Sequence, residues 1–138
     1  MRNDEELLSL ARKYVQEAEK NALVNPTSEE IQIVVVEPNK KPYKKMIPNT
    51  LEAMNEVVGG YIEVLNIGKS KTGACIAITL NEEGKVKGLP VNRFIVGFDI
   101  LVGTFFITAY NLEGDNVSIS DLDAQHFIKR FSPMEIYI

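Results

Sequence analysis

Apolar residues recur at helical spacing in three parts of the chain. The first series follows Asn3 and the acids Asp4, Glu5 and Glu6, which can begin a helix, and it continues to Ala22. This pattern predicts a first helix over residues 4–22. A shorter series predicts a second helix over residues 50–58, which Gly59 and Gly60 should end because glycine readily leaves the helical conformation.

Helix caps can be assigned from short polar motifs. Asn49 can cap the second helix, with Glu52 at the reciprocal position, and Ser120 with Asp123 can cap a last helix that Ser132-Pro133 ends. The predicted apolar side of that last helix is formed by Leu122, Phe127, Ile128 and Phe131.

Between these helices, β-branched and alternating residues predict strands. Residues 31–37 and 43–47 form a hairpin around a proline-rich turn, and residues 61–67 and 74–80 read as two further strands. Residues 134–138 are short and apolar, so we expect them to add an edge strand.

The sequence NEEGK predicts a turn after the strand at 74–80. Its pattern is typical of a type I turn finished by a left-handed glycine, here Gly84, so residues 81–87 should form an exposed hairpin tip. Two strands are expected within residues 91–110, followed by a polar loop at 111–116.

The order of these elements lacks a regular β-α-β alternation, which favours an α+β fold. We expect a single domain with a curled, mainly antiparallel sheet and about three helices. Residues 31–138 would form the α+β domain and residues 1–30 an N-terminal helical extension. The 138 residues, 45% of them hydrophobic, can bury one core without a disulfide or a metal.

Composition bears on the compartment. The longest apolar run, residues 94–110, contains Asp99, Gly97 and Gly103, so strands explain it better than a membrane helix. Cys75 is the only cysteine, which excludes an intramolecular disulfide, and no secretory signal pattern opens the chain. We therefore expect a soluble, cytoplasmic protein without a membrane partner.

The net charge of −4 is unevenly distributed. Residues 39–93 carry nine basic and five acidic side chains, whereas the two flanking segments are acidic. The lysines of this middle segment are Lys40, Lys41, Lys44, Lys45, Lys69, Lys71, Lys85 and Lys87. In one interpretation, these lysines keep exposed turns soluble and prevent edge strands from pairing with other molecules. In the other, they lie at three hairpin tips that together form one electropositive surface, the basic rim.

Arg93 and Asn92 are the leading candidates for a ligand site. A guanidinium between apolar residues is costly to bury alone, so Arg93 needs an acid, a cluster of carbonyls or a ligand. Its forked donors suit phosphate or carboxylate. The structural alternative pairs Arg93 with Asp99 or Glu63.

The predicted anion-binding rim combines this pair with nearby turns. Its residues are Arg93, Asn92, Asn81, Lys85, Lys40 and Lys41.

Little in the sequence indicates catalysis. His126 is the only histidine and has no evident partner for general-base chemistry, and Cys75 reads as a small core residue. Glu82 and Glu83 are adjacent turn acids, which diverge. We predict no catalytic residues, no metal site and no cofactor.

Four blocks of the sequence resemble a domain-of-unknown-function family, DUF3846. They are IQIVVVEPNKKP (31–42), NTLEAMNEVVGGYIEV (49–64), NEEGKVKGLPVNR (81–93) and DILVGTFFI (99–107). The resemblance covers about residues 31–131 and implies an accessory protein of a phage or conjugative element. It implies no activity and no active residues.

Two functions agree with these observations. In the first, the protein is non-catalytic and binds an anionic partner, such as a nucleotide-like ligand or nucleic acid, through the basic rim. In the second, it is a protein–protein interaction module that inhibits a host defence or restriction system, for example as a homodimer. Salt-dependent binding through the lysines would distinguish the first from the second.

Overall fold

The computed structural model describes residues 30–97 and 99–137, so the predicted helix at 4–22 lies outside the described residues. Within them the chain forms nine strands and two helices. The strands are β1 (Glu30–Val36), β2 (Tyr43–Pro48), β3 (Ile62–Lys69), β4 (Cys75–Asn81), β5 (Val91–Val96), β6 (Asp99–Val102), β7 (Phe105–Tyr110), β8 (Asn116–Val117) and β9 (Glu135–Tyr137). The helices are α1 (Leu51–Val58) and α2 (Asp121–Arg130).

The strands form two sheets, where the sequence predicted one. The main sheet is antiparallel and has the order β2-β1-β7-β4-β3, with β8 paired to β7. The small sheet has the order β6-β5-β9, in which β9 runs parallel to β5 at the edge. The α+β class and the edge position of the last strand are thus confirmed.

Each face of the main sheet is covered by different elements, because alternate residues of a strand point to opposite faces. Ile33 and Val35 of β1 pack in one cluster with Met54 and Val58 of α1. The neighbouring residues of β1, Val34 and Val36, belong to the other cluster. There β5 and β6 contribute Ile95 and Leu101, α2 contributes Ala124 and Phe127, and Phe131 follows directly after α2. The main sheet therefore lies between α1 and a layer formed by α2 and the small sheet.

The helix ends follow the predicted chemistry with one exception. Thr50, not Asn49, caps α1: its hydroxyl accepts from the backbone N–H of Ala53 at 3.1 Å. The Asn49 amide instead donates to the carbonyl of Asn116. Gly59 ends α1 with a φ of 75°, and Ser120 caps α2 by accepting from the N–H of Asp123, as predicted.

The prediction of a hairpin at residues 81–87 is wrong. β4 pairs with β3 and β7, whereas β5 pairs with β6 and β9, so the segment between them connects two sheets. Gly84 is not in the left-handed region. It is buried, and an added Cβ would lie 3.0 Å from Val102. Gly88 takes the positive φ instead, at 69°.

Two further details differ from the prediction. Residues 91–110 form three strands, because the chain turns at Gly97 and again at Gly103, both with positive φ. Leu122 is 70% exposed, and Asp123 and Ala124 take the buried positions of the first turn of α2. Asp123 can be buried although it is polar, because it accepts hydrogen bonds from the turn between β3 and β4.

Candidate functional site

A groove of about 510 Å³ lies between the β3–β4 hairpin and α2. We call it the hairpin–helix groove. One wall is the end of β3 with the turn that follows, and the other is the second half of α2. Its volume falls within the range of roughly 300–1,000 Å³ that is usual for clefts that bind small molecules.

The buried residues that line the groove, which we call its floor, are all apolar. They are Ile76, Ile78, Ile95, Phe127 and Phe131, and the partly exposed Ile67 also lines the groove. A β-bulge between Asn66 and Gly68 places Gly68 opposite Ile76. Gly68 has a φ of 97° and no atoms within 4 Å of an added Cβ, so β3 presents no side chain at that point and leaves room for the groove.

A buried carboxylate joins the two walls at the hairpin turn. Asp123, in the first turn of α2, is 2% exposed, and its Oδ2 accepts from Ser70 Oγ at 2.9 Å and from Thr72 Oγ1 at 2.6 Å. Hydrogen bonds to an ionised carboxylate are stronger than bonds between neutral groups. Asp123 therefore fixes the position of the hairpin turn against α2.

The polar lining of the groove is basic. It consists of Lys69 and Lys71 on the hairpin, His126 and Arg130 on α2, and the neutral residues Asn66 and Ser70. Lys69 and Lys71 are exposed, and no Asp or Glu is among the described residues that line the groove. An anion with an apolar body would meet complementary charge above an apolar floor.

Arg93, the leading candidate from the sequence, is completely buried. Its Nε donates to the carbonyl of Phe131 at 2.7 Å, its Nη1 to Asn92, and its Nη2 to the carbonyl of Lys40 at 2.6 Å. Burial lowers the pKa of Arg93. Of the partners that the sequence allowed for Arg93, the structure contains the cluster of carbonyls. The pairing with Asp99 or Glu63 is wrong.

The location of Arg93 explains how the cation is tolerated. Phe131 follows the last turn of α2, where the helix dipole favours positive charge. The side chain thereby connects β5, α2 and the turn after β1. Since Arg93 has no exposed surface, it cannot form the forked contact with a partner that the sequence suggested.

The two asparagines are also internal. Asn92 is 2% exposed, and its amide donates to the carbonyls of Val36 and Gly103. Asn81 is 4% exposed and donates to the carbonyl of Val58. Asn81 lies so close to Gly60 that a Cβ there would be 2.7 Å from its Nδ2. Both side-chain amides thus donate hydrogen bonds to backbone carbonyls that would otherwise be buried without a partner.

The lysines of the predicted rim lie outside the groove. Lys85 donates to Asp99 Oδ1 at 2.6 Å, and this hydrogen bond is the main cause that lowers the pKa of Asp99. Lys40 and Lys41 are exposed beside Asn39, which has a φ of 60°. The structure thus brings Lys40, Asn92 and Arg93 together, but through the backbone carbonyl of Lys40. A ligand contact by Lys40, Lys41 or Lys85 stays a prediction.

The residues considered for catalysis have simple surroundings. Cys75 is a half-buried free thiol on β4, and His126 lies at the groove with its ring 5.1 Å from that of Phe127. Among residues 30–97 and 99–137, no group of three His, Cys, Asp or Glu side chains could hold a metal ion. No helix in that part of the chain is long and apolar enough to cross a membrane.

The sequence does not predict the groove. Lys69 and Lys71 belong to a predicted turn and Phe127 to the apolar side of a predicted helix, and nothing in their spacing places them together. The sequence predicts that Asp123 serves the start of its own helix, whereas in the structure it also holds the hairpin turn.

Comparison of the sequence with models of known protein families shows which family the chain belongs to. The model of the family described as Domain of unknown function (DUF3846) matches residues 31–132. The chain belongs to this family. The matched segment of this DUF3846 protein includes both walls of the groove and Arg93 with the carbonyls that it contacts. No curated protein and no solved structure matched the chain.

Proposed function

We propose that this DUF3846 protein is a non-catalytic binding protein whose hairpin–helix groove captures an anionic ligand with an apolar body. One observation carries the proposal: an apolar floor is bordered by the exposed Lys69 and Lys71, with no acid among the described lining residues. The apolar floor gives the body of the ligand a surface on which to be buried, and the exposed ammonium groups attract its negative charge.

The proposed ligand is an anion, as the sequence predicted, but we propose that it binds in the hairpin–helix groove and not at the predicted basic rim. Arg93, Asn92 and Asn81 are committed to internal carbonyls. The groove instead offers basic side chains at its border. We place the protein in a phage or conjugative element, as the family resemblance implies; that setting rests on the resemblance alone.

Titration with anilinonaphthalene sulfonate, a fluorescent aromatic anion, tests the proposal. The double variant Lys69→Glu/Lys71→Glu should weaken binding about tenfold or more, because two attractive charges become repulsive. The matched control is Lys40→Glu/Lys41→Glu, which makes the same charge change at an exposed turn outside the groove. Equal weakening by both variants, or a larger effect of the control, would contradict the groove as the site.

The second candidate is a protein–protein interaction module, which one patch favours. Phe94 and Ile100 are directly paired on β5 and β6 and are 42% and 38% exposed. Adjacent exposed apolar side chains are a feature of interaction surfaces. Sedimentation analysis of the wild type and of Phe94→Ser tests a homodimer: concentration-dependent association that Phe94→Ser removes would favour this function.

A further inference from the structure

We propose that β3 pairs with β3 of a second copy of this chain, antiparallel and about a two-fold axis at Val64, so that the main sheet continues through a homodimer. The inference goes beyond the proposed function and does not depend on the hairpin–helix groove. It rests on the protection of the sheet edges, on the direction of the backbone groups of β3, and on the spacing of its exposed apolar side chains.

The two edges of the main sheet differ in their protection. The edge strands are β2 and β3. Proteins prevent unwanted pairing at such edges with short strands, lysines and prolines. β2 contains Lys44, Lys45 and Pro48. β3, with eight residues, is the longest of the nine described strands, and it contains no proline and no lysine before Lys69 at its end. Among the described strands, β4 alone pairs with it, so its outer side is open to another strand.

One contact shows which residues of β3 have backbone groups that face this open side. The N–H of Glu82, next to β4, donates to the carbonyl of Tyr61 at 2.9 Å. In an antiparallel pair, residues bonded to the neighbouring strand alternate with residues that point away from it. The register is regular up to Asn66, so Glu63 and Leu65 bond to β4. The N–H and C=O groups that point outward belong to Ile62, Val64 and Asn66.

The β-bulge then fixes the register of a self-pair. Gly68 lies opposite Ile76 after the bulge, and the alternation along β4 makes this a pair whose bonds face β4. The outward groups are therefore regular only over residues 62–66. Two antiparallel copies use all of these groups when residue 62 of one lies opposite residue 66 of the other, which places Val64 opposite Val64.

The exposed apolar side chains have the symmetry that this register requires. Tyr61, Val64 and Ile67 are exposed, and the outer two are each three residues from Val64. In the dimer, Val64 meets Val64, and Tyr61 of each copy lies beside Ile67 of the other; such pairs of apolar side chains across strands stabilise sheets. Glu63 comes opposite Leu65, so no like charges are directly paired. These matches favour a second copy over an unrelated strand.

The size of the contact predicts a weak dimer. Stable complexes bury roughly 1,200–2,000 Å² in total, and pairing over residues 62–66 lies at or below the low end of this range. Backbone hydrogen bonds supply most of the affinity when a strand is added to an open sheet edge. We therefore expect the dimer to form as the protein concentration is raised.

Sedimentation velocity of the full chain over a concentration series tests the dimer. Val64→Lys places two like charges at the two-fold axis and should lower the association constant about tenfold or more. Met46→Lys is the matched control, because Met46 lies on the other edge strand and is 52% exposed, against 51% for Val64. It should leave association unchanged. Thermal unfolding of both variants checks that each is folded.

Amide hydrogen exchange of the wild type tests the register without a substitution. The amides of Glu63 and Leu65 should be protected at every concentration, because they bond to β4. The amides of residues 62, 64 and 66 should become protected only as the dimer forms.

Three results would overturn the proposal. The first is a wild-type protein that stays monomeric at high concentration, or one whose association Val64→Lys and Met46→Lys weaken equally. The second is association that Phe94→Ser removes and Val64→Lys leaves intact, which would place the interface on the small sheet. The third is protection of residues 62, 64 and 66 at every concentration, which would show that the edge is covered within one molecule.

Discussion

Thr72 donates a hydrogen bond of 2.6 Å to Asp123 across 51 residues of the chain. Asp123 is buried at the start of α2, and Thr72 lies in the exposed turn between β3 and β4. The shape of the hairpin–helix groove therefore depends on a contact between two elements that are distant in sequence.

Removing this carboxylate should loosen the hairpin. Asp123→Ala should lower the free energy of unfolding by about 1.5–3 kcal/mol, the range for hydrogen bonds to charged groups. Asp121→Ala is the matched control: Asp121 is exposed, with its Oδ1 3.5 Å from Lys44 Nζ, and its loss should destabilise the fold less than the loss of Asp123. Urea unfolding measures both. Equal losses for the two variants would show that Asp123 has no special role.

Substitution of Arg93 should act on stability. Arg93→Lys keeps the charge but cannot reach the carbonyls of Phe131 and Lys40 together with Asn92, so a cost on the order of 3 kcal/mol is expected. Lys85→Ala, which breaks an exposed ion pair, should cost about 1 kcal/mol or less. Chemical denaturation of both proteins checks this, and an Arg93→Lys variant as stable as the wild type would refute the structural role.

Lys85 should also control the titration of Asp99. The hydrogen bond from Lys85 is the largest cause of the lowered pKa of Asp99, and the N–H of Ile100 adds to it. A carboxyl with a lowered pKa in the folded state stabilises the fold above its unfolded pKa, and this contribution is lost as pH falls through the folded pKa. Lys85→Ala should raise the pKa of Asp99 toward its ordinary value and weaken the acid dependence of stability. Carbon-detected NMR titration of the carboxyl measures the shift; an unchanged pKa would be the contrary result.

The two glycines of the connection between the sheets should respond differently. Gly88→Ala should cost about 1 kcal/mol, because an L-residue resists its φ of 69°. Gly84→Val should cost about 1–3 kcal/mol by crowding Val102. Only the second loss should be partly recovered by adding Val102→Ala, and a double-mutant cycle from thermal unfolding gives this coupling. Additive effects of Gly84→Val and Val102→Ala would contradict the crowding.

Helix ends and strands could be predicted from the sequence where they depend on residues that are close together in the chain. The Ser120 cap and the left-handed Gly59 follow from short motifs, and β1 and β4 follow from alternating or β-branched residues. The error at Gly84 has the same origin, because the NEEGK pattern fits a hairpin and cannot reveal that the strands on either side join different sheets.

The candidate site depends on contacts that no local pattern contains. The need of Arg93 for partners was foreseeable, but backbone carbonyls carry no sequence signal, and the expected acids were wrong. The groove requires a bulge that places Gly68 opposite Ile76 and a carboxylate that reaches the hairpin from α2. Both are set by the pairing of distant segments.

Amide chemical-shift mapping tests the groove as a ligand site most directly. Anilinonaphthalene sulfonate would be added to labelled wild-type protein. Binding in the groove predicts that the largest shifts cluster at residues 66–71 and 126–131, the two walls. The Lys69→Glu/Lys71→Glu variant should lose these shifts and keep an otherwise unchanged spectrum. Shifts centred on Lys40, Lys41 or Lys85, or none at all, would contradict the groove as the site.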